Sequence, residues 1–131
     1  MGAWGFRVFE DDCALDWLGD FSRLPSVDHL HTAFAALLKD SDVFIDDRLG
    51  AIALAAAEIV AAMNGRPSEL LPADVTRWAL NQGKPNEGLV NNAIASVLQV
   101  FENSELREIW EDSENVALWK EAIDELINRL G

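Results

Sequence analysis

The sequence predicts an all-α fold, a single-domain compact bundle of about six or seven helices. Apolar residues recur at helical spacing along almost the whole chain. No run of alternating β-branched residues between turn signals is long enough to indicate a strand. The chain has 131 residues, half of them hydrophobic and a quarter charged, which is typical of one globular domain with one core. We therefore expect a single all-helical domain over residues 1–131.

The chain begins with residues 2–9, which we expect to form an extended or coiled lead-in with, at most, a short strand at Val8-Phe9. The first helix is predicted over residues 12–24. Asp11 is its expected N-cap, because a carboxylate there can accept hydrogen bonds from the first free backbone N–H groups. The apolar stripe of this helix contains Ala14, Trp17, Leu18 and Phe21.

Two further helices are predicted before the middle of the chain. Pro25-Ser26 ends the first helix and starts a second, which runs to about Lys39. An acidic connection over residues 40–47 leads into a third helix over residues 47–63, which is alanine-rich and apolar on nearly all sides. Because such a helix needs neighbours on every side, we expect it to be the central one.

The second half of the chain predicts three or four more helices. Pro72 opens a short helix that ends near Gly83, and a longer helix covers residues 87–102. Ser104 then caps a short piece. The last helix, residues 114–130, has one apolar face with charges opposite. That face holds Val116, Trp119, Ile123, Leu126 and Leu130.

The net charge of −13 comes from 23 acidic and 10 basic residues. Binding to nucleic acid or to an anionic membrane surface relies on Lys and Arg, so the charge disfavours both. The acids are concentrated towards the two ends, with ten acids and two bases in residues 10–47 and nine acids and three bases in residues 101–131. This distribution favours a basic protein as the partner.

The single cysteine, Cys13, cannot form an internal disulfide, and no basic-then-apolar leader precedes the first predicted helix. We therefore expect a cytoplasmic protein. The acids around Cys13 oppose a thiolate, which indicates a packing role. The longest apolar run, residues 52–63, is too short for a bilayer and is interrupted by Glu58.

Two parts of the chain carry a resemblance to a known family. The opening combines three motifs, Gly2-Ala3-Trp4-Gly5, Phe9-Glu10-Asp11-Asp12 and Ala14-Leu15-Asp16-Trp17-Leu18. These motifs resemble the start of an uncharacterised bacterial family, domain-of-unknown-function family 4259. The ending, with Trp110 before an acidic turn and then Trp119, is also similar to members of that family. The resemblance implies that the whole chain is one such domain, and it brings no reaction, cofactor or catalytic residue with it.

Four residues of the opening are interpreted as structural. Trp4, held between two glycines, and Phe9 are expected to anchor the N-terminus on the helical core. Asp11 is expected to cap the first helix, and Trp17 lies on its apolar stripe. The alternative for Trp4 is a ligand-contacting loop.

The main candidate for partner binding is an acidic stripe. Asp12, Asp16 and Asp20 are four residues apart and roughly opposite the apolar stripe of the first helix, so they face solvent. Acids of the following connection extend this candidate surface, namely Asp42, Asp46 and Asp47 beside Asp40. The alternatives are a face that serves only solubility, or divalent metal binding. No Asp-x-Asp-x-Asp-Gly loop is present, so we predict no metal site.

Glu58 is the one charged residue between Leu49 and Gly65, and it shares a face with alanines that permit close helix approach. A carboxylate there is expected to be partly buried, and burial requires a partner. The candidates for that partner are the basic residues Arg48, Arg66 and Arg77. A paired, structural Glu58 is the favoured interpretation, and a catalytic or ligand-binding carboxylate is the alternative.

The two histidines do not indicate a metal site, and the common enzyme motifs are absent from the sequence. His29 and His31 lie about 200° apart on a helix and cannot hold one metal together. His29 is expected to be exposed and His31 to lie at the edge of the apolar stripe. The sequence contains no nucleophile elbow, phosphate loop, dinucleotide fingerprint or paired-cysteine metal site, so we predict no cofactor.

The leading functional hypothesis is a non-enzymatic module that binds a basic protein, one version being an inhibitor or immunity-type protein for a basic toxin such as a nuclease. The alternative is a small-ligand-binding protein or a carboxylate- and Mg-dependent enzyme, with Glu58 in a pocket between helices. A third hypothesis is self-association through an exposed patch at Trp110 or Trp119.

Overall fold

The computed structural model describes residues 5–39 and 44–131. The described residues form seven helices, which confirms the predicted all-α fold. These are α1 (Asp12–Arg23), α2 (Val27–Leu38), α3 (Asp47–Met63), α4 (Ala73–Asn81), α5 (Glu87–Glu102), α6 (Glu105–Glu111) and α7 (Val116–Leu130). The predictions for Trp4, Asp40 and Asp42 lie outside the described residues.

Side chains fix the starts of most helices. The Asp11 carboxylate accepts hydrogen bonds from the backbone N–H groups of Cys13 (2.8 Å) and Ala14 (3.3 Å), which confirms it as the N-cap of α1. The Ser104 hydroxyl accepts a hydrogen bond from the backbone N–H of Arg107 (3.1 Å) and caps α6. Such bonds satisfy donors that have no partner within the helix.

The predicted start of the last helix is wrong by two residues. A turn precedes α7, in which the Ser113 N–H donates to the Trp110 carbonyl (3.0 Å) and the Asn115 N–H donates to the Ser113 hydroxyl (3.2 Å). This turn keeps Glu114 out of the helix, and α7 therefore begins at Val116.

The lead-in before α1 forms bends and turns, so Val8-Phe9 is not a strand. The Glu10 N–H donates to the Arg7 carbonyl (3.0 Å) and closes one of these turns. Phe9 is buried in the core, as expected for an anchor of the N-terminus. The chain thus reaches α1 along a short irregular path that is held by one aromatic side chain.

The alanine-rich α3 is the central helix, as predicted. It packs against each of the six other helices, and residues 53–63 are all buried. Small side chains make this possible because they let neighbouring helices approach closely. At Gly50, an added Cβ would lie 3.1 Å from a methyl group of Leu106 on α6. Although α3 is so apolar, no helix in the described part of the chain is both long and apolar enough to cross a bilayer.

A short extended segment ties the entry of α3 to the connection between α5 and α6. The Ile45 N–H donates to the Asn103 carbonyl (3.2 Å), and the Glu105 N–H donates to the Ile45 carbonyl (2.8 Å). Ile45 itself is buried. This isolated parallel bridge between Ile45 and Ser104 fixes the start of α3 against residues almost 60 positions further along the chain.

Candidate functional site

Glu58, in the middle of α3, forms an ion pair with Arg129 in the last turn of α7. The Arg129 Nη1 donates to Glu58 Oε1 (2.7 Å), and Nη2 donates to Oε2 (3.1 Å). The side chains are only 6% and 15% exposed, respectively. A two-pronged contact of this kind is the geometry that suits a guanidinium and a carboxylate. The expectation that Glu58 is buried and paired is therefore confirmed.

The predicted identity of the partner is wrong, because it is none of Arg48, Arg66 and Arg77. Arg66 donates instead to the Asn128 carbonyl (3.0 Å), and the other two side chains are exposed. Arg129 was missed because it lies 71 residues from Glu58 in sequence. Only the packing of α7 against α3 brings the two together.

Arg129 also holds two further acceptors. Its Nε donates to Glu125 Oε2 (2.6 Å), and Nη1 donates to the Arg66 carbonyl (3.2 Å). Burial lowers the pKa of Arg129, but the bonds to Glu58 and Glu125 outweigh that effect and hold the pKa above its usual value. Four of the five N–H donors of the guanidinium are thus used within the protein.

Burial raises the pKa of the Glu58 carboxyl above its ordinary value. The hydrogen bonds and positive charge of Arg129 oppose that shift, and the carboxylate of Glu125 adds to it. Each Glu58 oxygen accepts one bond from Arg129, which takes two of the about four acceptor sites of the carboxylate and neutralises its charge.

A groove with a volume of about 520 Å³ lies directly over this pair. One wall is a face of α7, because positions 118, 121, 125 and 129 recur every three or four residues and Ala122 lies beside them on the same face. The opposite walls are residues 6–9 of the lead-in and residues 67–70 of the loop after α3. Three separate parts of the chain therefore enclose the groove.

The groove combines apolar walls with an acidic rim. Leu70 and Leu118 are 41% and 42% exposed, respectively, so both present apolar surface on the groove. Glu69 and Glu121 are exposed beside them. The rim also includes Arg7, whose guanidinium lies 5.7 Å from the centre of the Phe6 ring.

The predicted acidic stripe of α1 faces solvent. Asp12, Asp16 and Asp20 are all exposed. Asp20 forms an ion pair with Arg23 (3.2 Å), whose side chain is also largely exposed. Within residues 5–39 and 44–131, neither of the other two carboxylates has a basic group within ion-pair distance.

The described acids at the start of α3 have local structural contacts. Asp46 caps α3 by accepting a hydrogen bond from the Leu49 N–H (2.8 Å). The Asp47 N–H donates to the Glu105 carboxylate (3.0 Å). Burial raises the pKa of Asp11, the bonds from the backbone of α1 oppose this, and the charge of Asp47 adds to the increase. The start of α3 thus lies close enough to the start of α1 for their carboxylates to interact.

The structure also places several residues from the other sequence interpretations. Trp17 is half-buried and stacks on Phe21 with ring centres 5.3 Å apart. His29 was expected to be exposed, and this is wrong, because its ring packs 5.6 Å from Phe21 and its Nδ1 is buried. Trp110 and Trp119 are buried, so the exposed patch expected for a self-association module is not formed by them.

Two observations bear on other chemistry. Burial raises the pKa of the Cys13 thiol, and the carboxylates of Asp11 and Asp47 raise it further, so the thiolate is disfavoured. Among the described residues, no three His, Cys, Asp or Glu side chains are grouped so that they could hold a metal ion.

The fold is an acidic, all-helical domain packed around α3, and a buried Glu–Arg pair between α3 and α7 lies beneath its groove. Residues 2–122 match the sequence model of a family described as a domain of unknown function, DUF4259. The match covers most of the chain, and the chain therefore belongs to this family, as the motifs of its opening indicate. No curated protein matches the chain, and no solved structure does.

Proposed function

We propose that this protein is a non-enzymatic interaction module that binds a basic protein partner. The proposed contact surface is the α1 acidic face, defined as Asp12, Asp16 and Asp20, continued by Asp46 and Asp47 at the start of α3. Asp42, which lies outside the described residues, is assigned to the same surface from the sequence alone. The observation that carries the proposal is the exposure of the three α1 carboxylates with a single nearby cation, Arg23.

The electrostatics of the surface support this proposal. Like charges four residues apart on a helix cost a few tenths of a kcal/mol each, and a partner that brings Lys or Arg side chains would remove that cost. The interaction between Asp47 and Asp11 supports one continuous acidic area across the starts of α1 and α3. A complementary charged surface accelerates encounter and selects among partners. An inhibitor or immunity-type protein for a basic toxin is one form that such a module takes.

The enzymatic alternative receives less support. It depended on a Glu58 without a basic partner, whereas Arg129 binds both oxygens of that carboxylate. The pairing takes two of the about four acceptor sites of the carboxylate. Although burial raises the pKa of Glu58, the bonds and charge of Arg129 act to lower it, which opposes the proton uptake that a general base needs. The pair supports a structural role for Glu58, and we do not assign a reaction to it.

The test is affinity purification from the native cell, with mass spectrometry, followed by binding of the purified partner. We expect a basic protein that is retained by the wild type and lost with Asp16→Lys/Asp20→Lys. The matched control is Glu102→Lys/Glu114→Lys, which makes the same change of charge at exposed positions outside α1. The association rate should fall with rising salt concentration for the wild type.

Three outcomes would contradict the proposal. One is a captured partner whose binding is unchanged by reversal of charge on α1. Another is an affinity that is the same at low and high salt. A third is equal loss with the control variant, because that result would indicate net charge alone rather than the α1 acidic face.

A further inference from the structure

We propose that the groove between α7, the lead-in and the loop after α3 is a binding site for a small organic cation with an apolar body, such as an aryl- or alkylammonium compound. This site is separate from the α1 acidic face, and the proposal does not depend on the protein partner. It follows from the shape, the apolar walls and the charge of the groove.

The shape and walls suit a small ligand. A volume of about 520 Å³ falls within the range of pockets that hold small molecules. The lining includes Phe6, Val8 and Phe9 of the lead-in together with the exposed side chains of Leu70 and Leu118, so an apolar body has surface to cover. Burying the exposed parts of the two leucines provides the hydrophobic contribution to binding.

The charge of the groove selects a cation. Its lining contains four carboxylates and two guanidinium groups. Glu58 and Arg129 neutralise each other at the floor, while Glu69 and Glu121 have no ion-pair partner in the part of the chain that the structure describes. Glu125 is already paired with Arg129, so the carboxylates open to a ligand cation are those of Glu69 and Glu121, which are both exposed on the groove.

The arrangement also disfavours an anionic ligand. Arg129 is the only cation at the floor of the described groove, and it already donates to Glu58, Glu125 and the Arg66 carbonyl. A carboxylate or phosphate would have to compete with these short bonds and would then face the acidic rim. Arg7 is the remaining cation of the lining, and its side chain is exposed to solvent.

The test uses three probes that share one apolar body: phenethylamine, phenethyl alcohol and hydrocinnamate. Each is titrated into ¹⁵N-labelled protein, and the backbone amide shifts are followed by NMR. We expect phenethylamine to shift the amides of Leu70, Leu118 and Glu121 with a millimolar dissociation constant. Phenethyl alcohol should bind about five-fold more weakly, since it lacks a charge for the partly exposed carboxylates, and hydrocinnamate should not bind there.

Two variants separate the charge from the apolar contribution. Glu69→Gln/Glu121→Gln should reduce the affinity for phenethylamine about five-fold and leave phenethyl alcohol unchanged. Leu118→Ala should weaken both probes. The matched control, Glu102→Gln/Glu114→Gln, removes the same charge from exposed residues outside the groove and should leave both affinities unchanged.

Several results would overturn the inference. Equal binding of the three probes would show that the acidic rim selects nothing. Amide shifts confined to α1 would place the ammonium on the other acidic surface. Equal weakening by the control variant would indicate only the net charge. Binding of a short Arg- and Leu-containing peptide in the groove, with no binding of phenethylamine, would assign the groove to a peptide instead.

Discussion

Arg129 in the last turn of α7 reaches the middle of the central helix and binds both carboxylate oxygens of Glu58, at 2.7 and 3.1 Å. This contact joins the C-terminal helix to α3 by a charged pair that is almost removed from water. It also forms the floor of the groove, so the same two residues serve packing and define a candidate site.

Removing the cation of this pair should destabilise the protein strongly. Arg129→Ala leaves Glu58 buried without a partner, and breaking a buried pair in this way typically costs about 3 kcal/mol or more. We expect the free energy of unfolding, measured by urea denaturation, to fall by that amount. The control is Arg23→Ala, which removes an exposed pair and should have little effect. An equal loss in the free energy of unfolding for the two variants would show that the buried pair stabilises the protein no more than an exposed pair does.

Stability should decrease as pH rises above the ordinary range of carboxyl groups. Burial raises the pKa of both Glu58 and Asp11. The folded state therefore holds these protons in a pH range where the unfolded chain has released them, and the associated stability is lost as pH rises through the folded-state pKa values. Repulsion within a chain of net charge −13 acts in the same direction.

The measurement for this prediction is the urea midpoint between mildly acidic and mildly alkaline pH. Glu58→Gln/Asp11→Asn should flatten the dependence, because neither replacement titrates. Glu102→Gln/Glu114→Gln removes the same charge from exposed positions and should leave most of the pH dependence of the urea midpoint in place. If both double variants show the same slope, then the general repulsion, rather than the two buried groups, sets the pH dependence.

Two buried serines should respond to Ala substitution in opposite directions. The Ser96 hydroxyl is buried in α5 without a hydrogen-bond partner among the described residues, so Ser96→Ala should stabilise the protein by about 1 kcal/mol. The Ser104 hydroxyl caps α6 and donates to the Val100 carbonyl, so Ser104→Ala should destabilise it by about 1 kcal/mol. Thermal unfolding of the two variants measures both, and a loss of stability in Ser96→Ala would show that this hydroxyl has a partner.

Glycines at two helix ends should also respond differently. Gly65 follows α3 with a φ of 84°, and its N–H donates to the Ala62 carbonyl (2.9 Å). Gly65→Ala should cost about 1 kcal/mol, because a Cβ is strained in this left-handed conformation. Gly88 is the second residue of α5 and is exposed, so Gly88→Ala should add about 0.5 kcal/mol of stability through helix propensity. The measurement is the urea midpoint of each variant, and a change of the same sign and size in Gly65→Ala and Gly88→Ala would contradict the prediction.

Much of the fold follows from interactions within a few residues. The Asp11 and Ser104 caps, the helix near Pro72 and the central position of the alanine-rich α3 were all predictable. Each depends on a side chain bonding to its own helix, or on the pattern of apolar residues around it. The two-residue error at the start of α7 arose because the Ser113 turn competes with the helix for the same backbone groups.

The sequence by itself determined the all-α class, most helix bounds, the burial of Glu58 and the exposure of the α1 acids, because helical periodicity fixes which faces are apolar. Only the tertiary structure decided that Arg129 pairs with Glu58, that His29 packs on Phe21, and that three distant segments enclose an acidic groove. The physical reason is that periodicity states which face of a helix is buried but not which helix covers it. That choice depends on how all the helices pack around one core, and no single segment contains this information.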